Sequence, residues 1–311
     1  MSSISQTLII PRGPAASRAK DYAELIKARV TTLIVMTAWC GFYLGAAKSG
    51  VTSLSWTLLH ALLGIGLVSG GTAAMNEVIE RDTDALMRRT AIRPLVTRSM
   101  STTHAAVVAL AMIFGGLAYL AIATNLLTSA LTMLTSVVYL AAYTPLKKIT
   151  PLCTFVGAFP GAMPPMLGWT AMRGAVEWEA FVLFAILFFW QFPHFHSIAL
   201  LYRDDYERAG IRMLTVVERS GVSTAQAILV YGLALLPVTV APFLMGISGR
   251  LYFLGAVVLG LGLFWFCFRI WRAKIAPSQP RAKVMARQLL QATVLYLPLL
   301  FALMMLNSIS Y

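Results

Sequence analysis

An all-α membrane fold of about nine transmembrane helices is predicted for this chain by three observations: its composition, the recurrence of its apolar runs and the placement of its basic residues. Of 311 residues, 59% are apolar and 12% charged, whereas a soluble domain carries roughly a quarter charged residues. Lipid is therefore the main solvent this surface meets. Apolar runs near the ~20 residues that carry a helix across a bilayer place spans at 31–47, 57–75, 103–123, 125–142, 152–172, 178–200, 225–245, 251–271 and 288–308. With nine spans and a cytoplasmic N-terminus, the net charge of +13 sorts to one side, 22 of the 25 Lys and Arg lying inside and only Lys48, Arg173 and Arg250 outside. That asymmetry is the positive-inside pattern. The expected partner of the basic surface is the lipid bilayer, not nucleic acid.

Residues 1–30 hold Arg12, Arg18, Lys20, Lys27 and Arg29 without an apolar run long enough for a secretory signal. They read as a basic cytoplasmic tail ahead of one intramembrane domain, 31–311. Span two runs directly into the acid-rich segment that begins at Asn76. Spans three and four meet tightly near Asn125, and span five contains Pro160, Pro164 and Pro165, so an eight-span count is the alternative. The Gly and Pro density from Gly157 to Gly168 allows either close helix approach or a broken helix beside a cavity. Cys40, Cys153 and Cys267 lie within spans at no metal-ligand spacing and read as core residues.

Eight of the twelve acids fall in two inner connections, Asn76 to Arg98 and Arg203 to Arg219. In NEVIERDTDALMRRTAIRP, a helix carried two or three turns past span two stacks Asn76, Glu80 and Asp84 on one face at i, i+4 and i+8, with Arg88 continuing the row. Such hard oxygen donors suit Mg²⁺, which binds through one or two carboxylates plus substrate phosphates. Arg81, Arg88, Arg89 and Arg93 supply contacts for a diphosphate. In WQFPHFHSIALLYRDDYERAGIRML, an uninterrupted helix brings His194, Leu201 and Asp205 to one face, with a kink expected at Pro193. In YTPLKKITP, Lys147 and Lys148 enter the connection beside Tyr143.

The segments KARVTTLIVMTAWCG, NEVIERDTDALMRRTAIRPL, YTPLKKITP with GAFPGAMPP, and WQFPHFHSIALLYRDDYERAGIRML, in that order, resemble the protoheme IX farnesyltransferases, a branch of the intramembrane UbiA-type prenyltransferases. The resemblance implies a helix bundle around a central cavity, with a diphosphate site under cytoplasmic loops. Farnesyl diphosphate and heme b would be the substrates, Mg²⁺ the cofactor and heme O the product, made for heme-copper oxidases. Asn76, Glu80 and Asp84 would hold the metal. Arg29, Arg81, Arg88, Arg93, Lys147 and Lys148 would meet the diphosphate, and, because an aromatic face stabilises a cation, Tyr143 and Trp190 are the candidates to face the allylic cation. His194, Trp190 and Asp205 would bind heme.

Three positions depart from the family pattern: Glu80 stands where Asp is common, Ala28 where Pro is usual, and His196 where an apolar or aromatic residue is frequent. The segment from His194 to Asp205 replaces the second aspartate-rich motif of the quinone branch, which favours heme as acceptor. The competing readings are a quinone-precursor prenyltransferase, a membrane transporter and a non-catalytic heme-binding assembly factor. The expected location is a bacterial inner membrane, with the mitochondrial inner membrane as the alternative. Heme A synthase or an oxidase assembly complex is the expected protein partner.

Overall fold

A computed structural model describes residues 18–309. The first 17 residues of the basic tail, Arg12 among them, lie outside the described residues. Nine long helices account for most of the rest: α1 (Ala28–Lys48), α2 (Trp56–Asp84), α3 (Thr102–Ala123), α4 (Leu126–Leu146), α5 (Cys153–Arg173), α6 (Trp178–Leu201), α7 (Val222–Leu244), α8 (Arg250–Ala273) and α9 (Pro280–Leu306). Eight of them combine the length and hydropathy of a membrane crossing. The remaining one, α5, is long enough at 21 residues, but its Gly and Pro residues dilute its apolar character.

Local chemistry sets several of these boundaries. The Ser55, Ser101 and Asn125 side chains accept from the backbone N–H groups of Leu58, His104 and Thr128, capping α2, α3 and α4. Asn125 therefore ends the tight corner after α3 and begins α4, the boundary that hydropathy leaves weakest. Helix α2 overruns its apolar segment and ends at Asp84, which keeps Asn76, Glu80 and Asp84 on continuous helix.

Helix α4 is not uniform. Its residues Val138–Tyr143 form a π-helical turn, in which the Thr144 N–H bonds to the Tyr139 carbonyl five residues back. Pro145 supplies the cause: it has no N–H and its ring crowds the carbonyl four residues earlier. The helix widens just before the proline instead of breaking.

Helices α1–α5 form one group and α6–α9 a second, joined mainly where α5 packs on α6, with a smaller contact between α9 and α1. The tightest crossing is between α1 and α5. A Cβ added at Gly168 would lie 1.8 Å from the Ala38 carbonyl oxygen, and one at Gly41 would lie 1.8 Å from that of Pro165. Close helix approach is thus the use made of the Gly and Pro segment, and α5 runs unbroken through its three prolines. The largest buried cluster gathers Trp169, Leu183, Tyr252, Leu289 and Leu300 across both groups.

Candidate diphosphate and metal site

At one end of the bundle, the last two turns of α2 present a row of polar side chains to α4 and to the segment entering α1. Asn76, Glu77 and Asp84 are 1%, 1% and 2% exposed. Burial this deep costs several kcal/mol for an uncompensated charge, so each group's partners decide whether the arrangement stands.

Two cations answer the three carboxylates and a third holds the Asn76 amide. Lys147 Nζ reaches both Glu80 oxygens at 2.8 and 2.9 Å. Arg93 Nη1 lies 2.5 Å from Asp84 Oδ2, and its Nε lies 3.4 Å from Glu77 Oε1. Lys27 Nζ donates to Asn76 Oδ1 at 2.7 Å. Lys27 reaches in because it holds a left-handed conformation, φ 47°, at the start of α1. Arg93 returns to the row because the chain reverses after α2: the Thr90 hydroxyl bonds to the Asp84 carbonyl, and Leu95 buries itself against Leu25 and Ala74.

Asn76 Nδ2 donates to Glu80 Oε2 at 3.0 Å and to Thr144 Oγ1 at 3.2 Å. Lys147 also lies 4.5 Å from the centre of the Tyr143 ring. Burial alone would push the Lys147 ammonium down, but Tyr143 and Glu80 beside it carry it above the ordinary lysine value. The two Glu77 carboxylate oxygens are buried without a hydrogen-bond partner.

Three connections roof this row. Arg208 pairs with Asp205 and donates to the Leu86 carbonyl, Asp205 accepts from the Arg89 N–H, and the Arg212 N–H bonds to the Lys147 carbonyl at 2.8 Å. Met87 packs with Tyr206, Ala209 and Ile211 beneath.

The residues expected from sequence divide accordingly. Asn76, Glu80, Asp84, Arg93, Tyr143 and Lys147 come together. Arg88 does not continue the row, since α2 stops at Asp84 and Arg88 lies exposed on the turn that follows. Arg81 points away, bonded to Asp82 and to the Thr102 hydroxyl. Arg29 and Lys148 are exposed. Asp205 does not share a helix with His194, because α6 ends at Leu201 and Arg203–Arg208 is a separate turn of helix; its carboxylate braces two connections instead.

His194 and Trp190 sit on the face of α6 that meets α9. Their rings stack at 4.6 Å, the Trp190 Nε1 donates to the Thr293 carbonyl, and His194 Nδ1 lies 2.9 Å from Thr293 Oγ1. Since the Thr293 hydroxyl donates to the Leu290 carbonyl at 2.7 Å, its oxygen accepts from His194 Nδ1–H. That tautomer leaves the Nε2 lone pair for a ligand.

Sequence reasoning missed Lys27, Glu77 and Thr144. Glu77 had a signal, three residues before Glu80 and seven before Asp84, hence on the edge of the same face. Lys27 and Thr144 had none beyond adjacency to Arg29 and Tyr143.

The donor set fits Mg²⁺: hard oxygens from Asn76, Glu80 and Asp84, with the two Glu77 oxygens, buried and without a hydrogen bond, alongside. Among the described residues no three His, Cys, Asp or Glu side chains are grouped so as to hold a metal ion by themselves, whereas Mg²⁺ usually binds through one or two carboxylates plus substrate phosphates.

The model of the UbiA prenyltransferase family matches residues 34–290. The chain is 67% identical over 307 residues to a protoheme IX farnesyltransferase of Koribacter versatilis, covering 99% of both chains. It is 45% identical over 294 residues to one of Solibacter usitatus, covering 93% of this chain and 98% of that one. Among solved structures, a digeranylgeranylglyceryl phosphate synthase superposes with a TM-score of 0.75 at 12% identity, over 94% of this chain and 99% of that one. A UbiA homolog from Archaeoglobus fulgidus bound to DMAPP and Mg²⁺ superposes at 0.63 and 17% identity, over 91% and 99%.

Proposed function

The chain belongs to the UbiA prenyltransferase family, as one of its protoheme IX farnesyltransferases, and on that premise we propose that it transfers the farnesyl group of farnesyl diphosphate to a vinyl group of heme b. The near full-length identity to a protein of that name carries the reading. The C1–O bond of farnesyl diphosphate breaks and its electron pair leaves with diphosphate. The vinyl carbon bonds to farnesyl C1, the resulting cation beside the porphyrin takes hydroxide from water, and the remaining proton is released. The product is heme O.

Asn76, Glu80 and Asp84 would hold Mg²⁺, with Glu77 in reserve; when bound, the ion neutralises charge on the leaving diphosphate. Lys27, Arg93 and Lys147 are the chain's own contribution. Each is held by a carboxylate or amide of the row and within reach of a ligand lying over it, so a diphosphate finds its cations already placed. Tyr143 presents a ring against α5 at Gly157 and stabilises an allylic cation through its face. The connections 85–93 and 203–213 bond to each other beside the row and would limit the access of water to it.

Heme b is assigned to the α6–α9 face. The free lone pair on His194 Nε2 suits heme iron, and Trp190 offers a stacking surface. The relatives are bacterial, which supports a multi-pass protein of a bacterial inner membrane. Heme O, an apolar product, would pass within the bilayer to heme A synthase or an oxidase assembly complex.

The test is mass spectrometry of hemes extracted after the purified chain is incubated with heme b, farnesyl diphosphate and Mg²⁺. The expected result is a gain equal to farnesyl plus water. Recovery of unmodified heme alone would overturn the reading.

A further inference from the structure

Thr144 has no role in the chemistry above, yet it occupies the one position that joins the π-turn of α4 to Asn76. Three hydrogen bonds define it. Its backbone N–H bonds to the Tyr139 carbonyl, its hydroxyl donates to that same carbonyl at 2.8 Å, and its oxygen accepts from Asn76 Nδ2 at 3.2 Å. A threonine hydroxyl has one proton to give. With that proton committed to Tyr139, Thr144 faces Asn76 as an acceptor.

An asparagine amide presents oxygen on one side and nitrogen on the other, and the two orientations differ little in shape. Only the oxygen can bind a cation. Lys27, a donor, and Glu80, an acceptor, currently favour the orientation that turns Oδ1 toward Lys27. Both are also groups that serve the diphosphate and its metal, so their hold on the amide is not assured once a ligand is bound. Thr144 is buried, uncharged and tied to the backbone of α4. It keeps acting on Nδ2 when the charged neighbours change partners.

We infer that Thr144 is a positioning residue that holds the Asn76 amide with its oxygen toward the metal, and that the π-turn exists in part to supply its acceptor. The inference rests on the metal assignment above. It also gives Pro145 a purpose: by forcing the wider turn, the proline places a carbonyl where it takes the Thr144 proton.

Thr144→Val keeps shape and removes the hydroxyl; Thr144→Ser keeps the hydroxyl. Binding of Mn²⁺, a probe for Mg²⁺, is measured by electron paramagnetic resonance on the purified full chain with inorganic diphosphate, and unliganded melting temperature is measured alongside. The expected result is about tenfold weaker Mn²⁺ binding in Thr144→Val, roughly the factor carried by one hydrogen bond. Thr144→Ser should restore it to within about twofold; Thr144→Val also loses buried hydrogen bonds, so its unliganded melting temperature should fall, and the Mn²⁺ affinities are compared at a temperature where all three chains are folded. Equal Mn²⁺ affinity in the parent and Thr144→Val would overturn the inference while leaving the metal site intact, as would equal weakening by Val and Ser. A parent chain that binds no Mn²⁺ with diphosphate would overturn the metal site itself, and the inference with it.

Discussion

The two ends of the bundle each carry a cluster of charges, and they are built on opposite plans. At the far end Lys48, Arg173, Glu177 and Glu179 form a closed network. Lys48 Nζ reaches Glu179 at 2.6 Å and Glu177 at 3.3 Å, and Arg173 Nε reaches Glu177 at 2.9 Å. The Trp169 indole N–H also donates to Glu177, and Arg173 Nη1 donates to the Ser49 hydroxyl. The four side chains are 16–31% exposed, whereas Glu77, Asp84, Glu80, Lys147 and Arg93 at the other end are 1–15% exposed. A sealed, partly wet network stabilises helix ends. A drier row in which both Glu77 oxygens lack a hydrogen bond leaves acceptors that a ligand would complete.

The largest way to break this contrast is to neutralise one carboxylate at each end. Asp84→Asn should reduce heme O formation by about 10²–10³-fold, the scale for losing a preorganised charged group at a reaction centre. Glu179→Gln should leave turnover within about twofold and lower the melting temperature instead. Turnover by mass spectrometry and unfolding by differential scanning fluorimetry in detergent separate the two.

Next in size is Lys147→Met, which strands Glu80 in a buried setting. Removing one partner of a buried pair costs about 3–5 kcal/mol, so both melting temperature and the apparent KM for farnesyl diphosphate should suffer. A variant with unchanged stability would place Glu80 in water, contrary to its burial.

The far end should answer to acid. The Arg173 guanidinium holds the Glu177 carboxyl down to about 2 from its ordinary 4.5. A depressed folded-state value means the stabilisation is complete above pH about 4.5 and is lost as pH falls through about 2. The melting-temperature gap between the parent and Glu177→Gln should therefore be widest above pH 4.5 and close as pH approaches 2. A gap independent of pH would contradict the pairing.

The smallest effects should come from Arg88→Ala and Lys148→Ala. Both side chains are exposed at the site end, and surface changes of this kind fall within about ±0.5 kcal/mol. Turnover should stay within about twofold; a large loss in either would restore that residue to the site.

What the sequence made legible follows from how local each feature is. The spans were readable from apolar length, and the row Asn76, Glu80, Asp84 from helical spacing, because both depend on residues close in the chain. Arg88 does not extend the row because a spacing rule cannot see a helix end: the turn capped by Thr90 stops α2 at Asp84. Asp205 leaves the helix of His194 for the same reason at Tyr202. Lys27 and Thr144 were invisible because their roles arise only when α1, α2 and α4 meet. The π-turn has one sequence sign, Pro145 at the end of an apolar span.

The central claim is that the site end takes a metal and diphosphate while the far end is structural. The most direct measurement is the melting temperature of the purified chain with and without Mg²⁺ plus inorganic diphosphate, in the parent, Glu80→Gln and Glu179→Gln. A ligand that binds only the folded state stabilises it, by about 2.7 kcal/mol at a hundredfold excess over Kd. The parent and Glu179→Gln should show the upward shift and Glu80→Gln should lose it. A shift that survives in Glu80→Gln and disappears in Glu179→Gln would contradict the account.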